Sequence, residues 1–182
     1  MLTNILQSIG RTPLLRLNAL GADLPGTVWL KLENRNPGGS IKDRVAFHVI
    51  DKTMEWGDIE AGGTIVEATS GNLGIGIALV AAVRGLHCVL TMPDSMSVER
   101  RNLLHALGAE LVLTPAAEGM KGAIKVAEKL AEERNGLLFG QFSNPLAVEA
   151  HYLTTGPEIL AVSVGHMLSL IHISEPTRPL YI

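Results

Sequence analysis

Cysteine is nearly missing from this 182-residue sequence, and the single Cys88 excludes an intrachain disulfide and any cysteine-cluster zinc site. A lone thiol fits a reducing compartment. A clustered basic face is missing too. Fifteen Lys and Arg stand against 18 Asp and Glu, a formal charge of -3, so nothing draws the chain to a phosphate backbone and no nucleic-acid partner is expected. Met1 to Gly10 has no basic n-region, long apolar stretch or small-residue cleavage site, so the expected location is cytoplasmic. No apolar run approaches the roughly 20 residues of a membrane span, since stretches such as Ile75 to Val83 are interrupted by glycine, and no membrane association is expected. His48, His87, His105, His151, His166 and His172 show no helical pairing, which argues against a metal site. The G-x-S-x-G elbow, the Walker loop and the G-x-G-x-x-G fingerprint are also absent.

What is present is ample apolar material, 47% hydrophobic against 18% charged residues, enough for one domain or slightly more. Period and punctuation predict strands over 27–32, 63–68, 87–92, 110–113 and 136–139. Helices are predicted from Ser40 to about Trp56, from the turn at 69–72 to Arg84, and over 97–107 and 120–134. Ser40 reads as an N-cap with Asp43 as its acidic first-turn partner. The alternation predicts an α/β fold, a parallel twisted sheet with helices on both faces, since parallel crossovers require a helix. Ligand chemistry in such sheets gathers at the carboxyl ends of strands, here the turns after Leu32, Ala68, Met92 and Phe139.

Three of these turns carry unusual residues. Asn36-Pro-Gly-Gly-Ser-Ile-Lys-Asp-Arg44 delivers Lys42 into the first turn of a helix, where the dipole favours an uncharged amine nucleophile and the junction fixes its position. The alternative is an ordinary solvated lysine. Glu67-Ala-Thr-Ser-Gly-Asn-Leu-Gly74 converges hydroxyls, an amide and helix N-terminal N–H groups on one point, which suits a carboxylate or phosphate. The alternative is a cap, with Thr69 or Ser70 satisfying first-turn donors. Gly140-Gln-Phe-Ser-Asn-Pro145 sets Gln141 beside a strand end, where polar residues ordinarily just close turns.

In combination and order these strings resemble a known family. They run from Ile9-Gly-Arg-Thr-Pro-Leu-Leu-Arg-Leu17 through Lys31-Leu-Glu33 and Asn36 to Arg44. Glu67-Ala-Thr-Ser-Gly-Asn72, Met92-Pro-Asp94 with Glu99-Arg-Arg101, Gln141-Phe142 and Thr154-Thr-Gly-Pro-Glu158 follow. The pattern resembles the fold type II (β-family) pyridoxal-phosphate enzymes and, within them, the B-type cysteine synthases, over about Ile5 to Leu160. The resemblance implies pyridoxal 5'-phosphate as cofactor, carried on Lys42, which would also move the substrate α-proton. It implies that Thr69, Ser70, Gly71 and Asn72 close on the substrate α-carboxylate, with Asn72 also near the cofactor's phenolic oxygen and Gln141 helping to hold the carboxylate. The implied reaction is β-replacement on O-acetylserine or a similar activated serine by a sulfur donor, in a homodimer when full length. A serine/threonine dehydratase, a cystathionine β-synthase-like enzyme and a non-catalytic fragment remain open alternatives.

Two features depart from that family. Leu73 stands where most members have threonine, removing one hydroxyl from the carboxylate loop. The family also requires about as much chain again, including a phosphate-gripping loop and a serine facing the pyridine nitrogen. The expected division is 1–35 as part of a larger domain, 36–145 as a smaller α/β domain with Lys42 and the carboxylate loop, and 146–167 as the start of the remaining larger domain. The segment LSLIHISEPTR resembles the conceptual translation of a sequencing-library adapter, so 168–182 is expected to be a non-native tail and the chain a truncated, inactive portion. A genuine divergent C-terminus is the alternative.

Overall fold

A computed structural model describes residues 1–19, 21–163, 167 and 169–171, so the expected tail at 168–182 lies outside the described residues apart from 169–171. Strands β1 (Leu14–Arg16) and β2 (Trp29–Lys31) pair antiparallel, with Leu15 opposite Leu30, as a separate two-stranded sheet. The strand expected at 27–32 therefore does not open the parallel alternation. The physical reason is edge occupancy. In the second sheet β3 (Thr64–Ala68) is flanked by β4 (His87–Pro93) and by β6 (Leu137–Leu138), so β2 finds no free edge beside it.

That second sheet is parallel throughout, in the order β5-β4-β3-β6, with β5 spanning Glu110–Thr114. β3 and β4 read as nearly continuous apolar runs because both of their faces are covered. Helices α1 (Lys42–Trp56), α2 (Asn72–Arg84) and α3 (Val98–Ala106) share one core with the sheet, through Val49, Ile50, Ile65, Ile77, Leu90 and Leu104. Helix α4 (Gly119–Glu133) sets Ala123, Ala127 and Ala131 against Val66, Ala68 and Val89. Gly57 and Gly85 end α1 and α2 at φ of 81° and 70°, a left-handed conformation that a Cβ disfavours. The architecture is α/β, as expected.

Beyond β6 the chain forms α5 (Leu146–Ala150), a π-helical turn at His151–Thr155 and α6 (Gly156–Ser163), none of them foreseen from periodicity. No helix among the described residues is long and apolar enough to cross a membrane, and no group of three or more possible metal ligands occurs among them.

Candidate active site

Lys42 is the first residue of α1 and half-buried. The helix starts two residues later than its sequence suggests. Ser40 Oγ accepts the Lys42 N–H at 3.1 Å, while Asp43 turns back so that its buried carboxylate accepts the Gly38 N–H at 2.6 Å. A Cβ on Gly38 would collide with Asp43 Oδ1, which explains glycine there. The loop is also tied from the front. Asn36 is buried, donating to Glu33 and accepting the Gly10 N–H at 2.8 Å.

Helix α2 crosses the start of α1 at Gly76, where an added Cβ would lie 3.1 Å from Ala46 Cβ and 3.2 Å from the Lys42 carbonyl oxygen. That close approach sets the start of α1 against the first turns of α2, the helix that the turn at 69–72 opens. Thr69 continues the β3–β4 ladder by donating its N–H to the Thr91 oxygen at 3.1 Å, and its hydroxyl accepts the Gly71 N–H at 3.3 Å. No side chain caps α2, so the reading of Thr69 or Ser70 as its cap does not hold, and the first-turn donors receive no side-chain acceptor. Ser70, Gly71 and Asn72 are half-buried, and a Cβ on Gly71 would meet nothing within 4 Å.

Gln141 follows β6 and reaches back to β3. Its amide nitrogen donates to Glu67 Oε1 at 3.2 Å and to the Ala68 oxygen at 3.1 Å, and its backbone N–H lies 3.3 Å from Glu67 Oε2. Burial pushes the Glu67 carboxyl above its ordinary value, and hydrogen bonds from Gln141, Gly140 and Ala68 only partly offset this. Lys42, the 69–72 turn and Gln141 thus gather at one end of the sheet. A cavity of about 410 Å³ between α4 and β6, lined by Glu128, Ala131, Glu132, Asn135, Gly136 and Leu138, shares no residue with them.

Sequence reasoning missed three features of this region. Arg100 of α3 donates to the Ser70 oxygen at 2.6 Å, steadying the turn from outside. The Glu99-Arg-Arg101 string had signalled the segment without giving Arg100 a task. Second, Leu73 is 3% exposed and belongs to the apolar core, so the residue standing where the resemblance leads one to expect a threonine packs inward. Third, Arg44, two residues after Lys42 and so on the other side of α1, is buried between two carboxylates. It donates to Glu33 at 2.7 and 2.9 Å and to Glu158 at 2.7 and 2.8 Å, while Lys31 Nζ reaches Glu158 at 2.7 Å and Thr12 Oγ1 at 2.7 Å. Burial opposes charge on Glu158, but hydrogen bonds from Arg44, Lys31 and the Arg11 N–H, with the Arg44 charge, bring it down to about 2. Glu33 is likewise held low, its burial outweighed by Arg44, Thr12 and Asn36.

Comparison with known proteins identifies the family. The family model for pyridoxal-phosphate dependent enzymes matches residues 5–172, and the chain belongs to that family. A cysteine synthase of Staphylococcus aureus is 55% identical over 157 residues, covering 86% of this chain and 51% of the relative. Cysteine synthase B of Escherichia coli is 46% identical over 165 residues, covering 91% and 54%. Among solved structures, an O-ureido-L-serine synthase superposes with a TM-score of 0.85 at 44% identity, covering 91% of this chain and 52% of that one. A cysteine synthase of Entamoeba histolytica gives 0.86 at 38%, covering 91% and 50%. The chain spans about half the length of the curated relatives it matches.

The residues present fit the family's cofactor in chemistry. A half-buried lysine at a fixed junction suits a Schiff base to an aldehyde, and free helix N–H groups suit a carboxylate.

Proposed function

We propose that the whole protein makes L-cysteine from O-acetylserine, or a similarly activated serine, and a sulfur donor. The observation that supports this reading is the packing of α2 on α1 at Gly76, one helical turn after Asn72, where an added Cβ would lie 3.2 Å from the Lys42 carbonyl oxygen. Pyridoxal phosphate, when bound, supplies the electron sink for the pair released at the substrate α-carbon. Lys42 holds the cofactor before substrate arrives, takes the proton from Cα, and returns it after the β-substituent has left and sulfur has bonded to Cβ. Thr69, Ser70, Gly71 and Asn72 receive the α-carboxylate on uncapped α2 donors, and Asn72 also serves the cofactor's phenolic oxygen. Gln141, whose amide nitrogen is engaged by Glu67 and Ala68, is read as helping to hold the carboxylate from the β6 side by exchanging one of those bonds for it. Holding the carboxylate in this way orients the Cα–H bond toward Lys42, and such positioning contributes on the order of 7–11 kcal/mol when geometry is right.

The reading places the protein in the cytoplasm, with small-molecule substrates and a homodimeric whole protein. The 182-residue chain alone is read as inactive in cysteine formation, because the relatives carry about as much chain again. A related β-replacement with another nucleophile is the second reading, favoured by the 38% identical O-acetylserine dependent cystathionine β-synthase of Helicobacter pylori, with a TM-score of 0.81.

Absorbance tests the assignment. Adding pyridoxal phosphate to the chain should raise a visible band that Lys42→Ala abolishes. Asn72→Ala should keep the band yet lose its response to O-acetyl-L-serine. A band indifferent to Lys42→Ala would refute the reading.

A further inference from the structure

Among the described residues, the 69–72 turn is hydrogen-bonded by one side chain from outside its own segment. That side chain is Arg100, whose Nη1 donates to the Ser70 oxygen at 2.6 Å across 30 residues of sequence. Its neighbour Arg101 behaves differently and stays with its own loop, donating to the Met96 and Asp94 oxygens at 2.7 to 3.0 Å. Asp94 braces that loop in turn. Its N–H donates to the Thr114 oxygen at 2.9 Å and its carboxylate accepts the Ala116 N–H at 3.1 Å. Arg100 therefore reaches the turn from a fixed base.

The backbone converts that grip into a direction, because the carbonyl and N–H of a planar trans peptide point opposite ways. The Ser70–Gly71 peptide is held at both ends, its oxygen by Arg100 and its N–H by Thr69 Oγ1 at 3.3 Å. In the next peptide the Gly71 oxygen accepts the Gly74 N–H at 3.1 Å, so the Asn72 N–H points the other way, off the amino end of α2. No side chain caps that end.

The position also disfavours a cation. Arg100 lies in the first turn of α3 and against the amino end of α2, and both termini carry partial positive charge. Among the described residues it forms no salt bridge that would offset this. An anion received on the turn would do so.

We propose that Arg100 is a positioning residue, which fixes the Ser70–Gly71 peptide so that the turn presents its free donors to the carboxylate of an amino-acid ligand. The proposal rests on the reading of the 69–72 turn given above and deepens it.

Backbone amide signals of Ser70, Gly71 and Asn72 in the ¹⁵N-labelled 182-residue chain test it. In the wild type they should shift on titration with L-serine but not with L-serinamide, which lacks the carboxylate. Arg100→Ala should move the Gly71 and Asn72 signals and speed their hydrogen exchange before any ligand is added. The thermal midpoint should stay in place, since the side chain is exposed. The same variant should weaken the L-serine response by about five-fold, the scale of one ordinary hydrogen bond. Arg100→Lys, a cationic donor of similar reach, should restore most of both effects. An L-serine response or turn signals equal in wild type and Arg100→Ala would overturn the proposal and leave the reading of the turn standing. So would equal weakening by Arg100→Lys, or a lowered midpoint in Arg100→Ala, which would make Arg100 a general support of the fold. A wild-type chain without a carboxylate-specific response would overturn the reading of the turn itself, and the proposal with it.

Discussion

The four-stranded sheet with its helices and the segments outside it are held by different forces. Around β3 and β4 the contacts are apolar and close, with Ile65, Val66, Ile77, Ala78, Val80 and Leu90 fully buried. Outside the sheet, residues 10–12, 31–36 and 158 are joined to α1 by ions and hydrogen bonds centred on Arg44. These outer segments also leave apolar side chains in solvent. Leu15, Trp29 and Leu30 on β1 and β2, and Tyr152, Leu153 and Leu160 near α6, are each at least 40% exposed. The contrast teaches how Lys42 is positioned. One side of its helix is fixed by dispersion and burial, insensitive to pH, and the other by charges that depend on protonation and on every partner being present.

The comparison breaks most sharply at Arg44. Arg44→Met removes the cation between two half-buried carboxylates, leaving Glu33 without its ion partner and Glu158 with Lys31 alone, which should cost roughly 3–5 kcal/mol. Urea unfolding should show the loss, and hydrogen exchange should place it first in residues 10–17, 28–33 and 156–163, with β3 and β4 still protected. Uniform loss of protection would show that the two regions are one cooperative unit.

On the apolar side, Leu73→Thr should destabilise by about 2 kcal/mol, because it exchanges a buried core side chain for a smaller one with a hydroxyl. Thermal unfolding measures this. A neutral or stabilising result would mean that position 73 belongs to the ligand loop rather than to the core. The smallest expected effect is the response to acid. The Glu158 carboxyl lies below its ordinary value of 4.5, at about 2, so its contribution is complete above the ordinary value and is lost as pH falls toward about 2. Arg44 stays protonated throughout this window. Stability measured from pH 6 downward should therefore fall more steeply in wild type than in Glu158→Gln, and parallel curves would contradict the charge-based account of the outer region.

Most of the sheet was legible because its signals are local. Gly57, Gly85 and Gly108 stop helices by their own conformation, and continuous apolar runs such as Cys88 to Met92 mark strands covered on both faces. The pairing of β2 was not legible, since the edge it might have joined is taken by β6, which comes more than a hundred residues later. Nor could spacing reveal that Asp43 folds back on Gly38 instead of completing a capping box at Ser40. At the candidate site, Lys42 and the 69–72 turn stood out through glycine and hydroxyl clustering beside predicted strand ends. Glu67 and Arg44 did not. Both look like ordinary surface charges until tertiary contacts bury them, Glu67 against Gln141 and Arg44 between Glu33 and Glu158.

The central claim is that Lys42, held between these two regions, is the lysine that carries the cofactor. Borohydride reduction after incubation with pyridoxal phosphate, followed by peptide mapping, tests it most directly, because reduction makes even a labile imine permanent. The account predicts the pyridoxyl group on Lys42. A label concentrated on Lys31, which is engaged with Glu158 and Thr12, or on exposed Lys121, would contradict it.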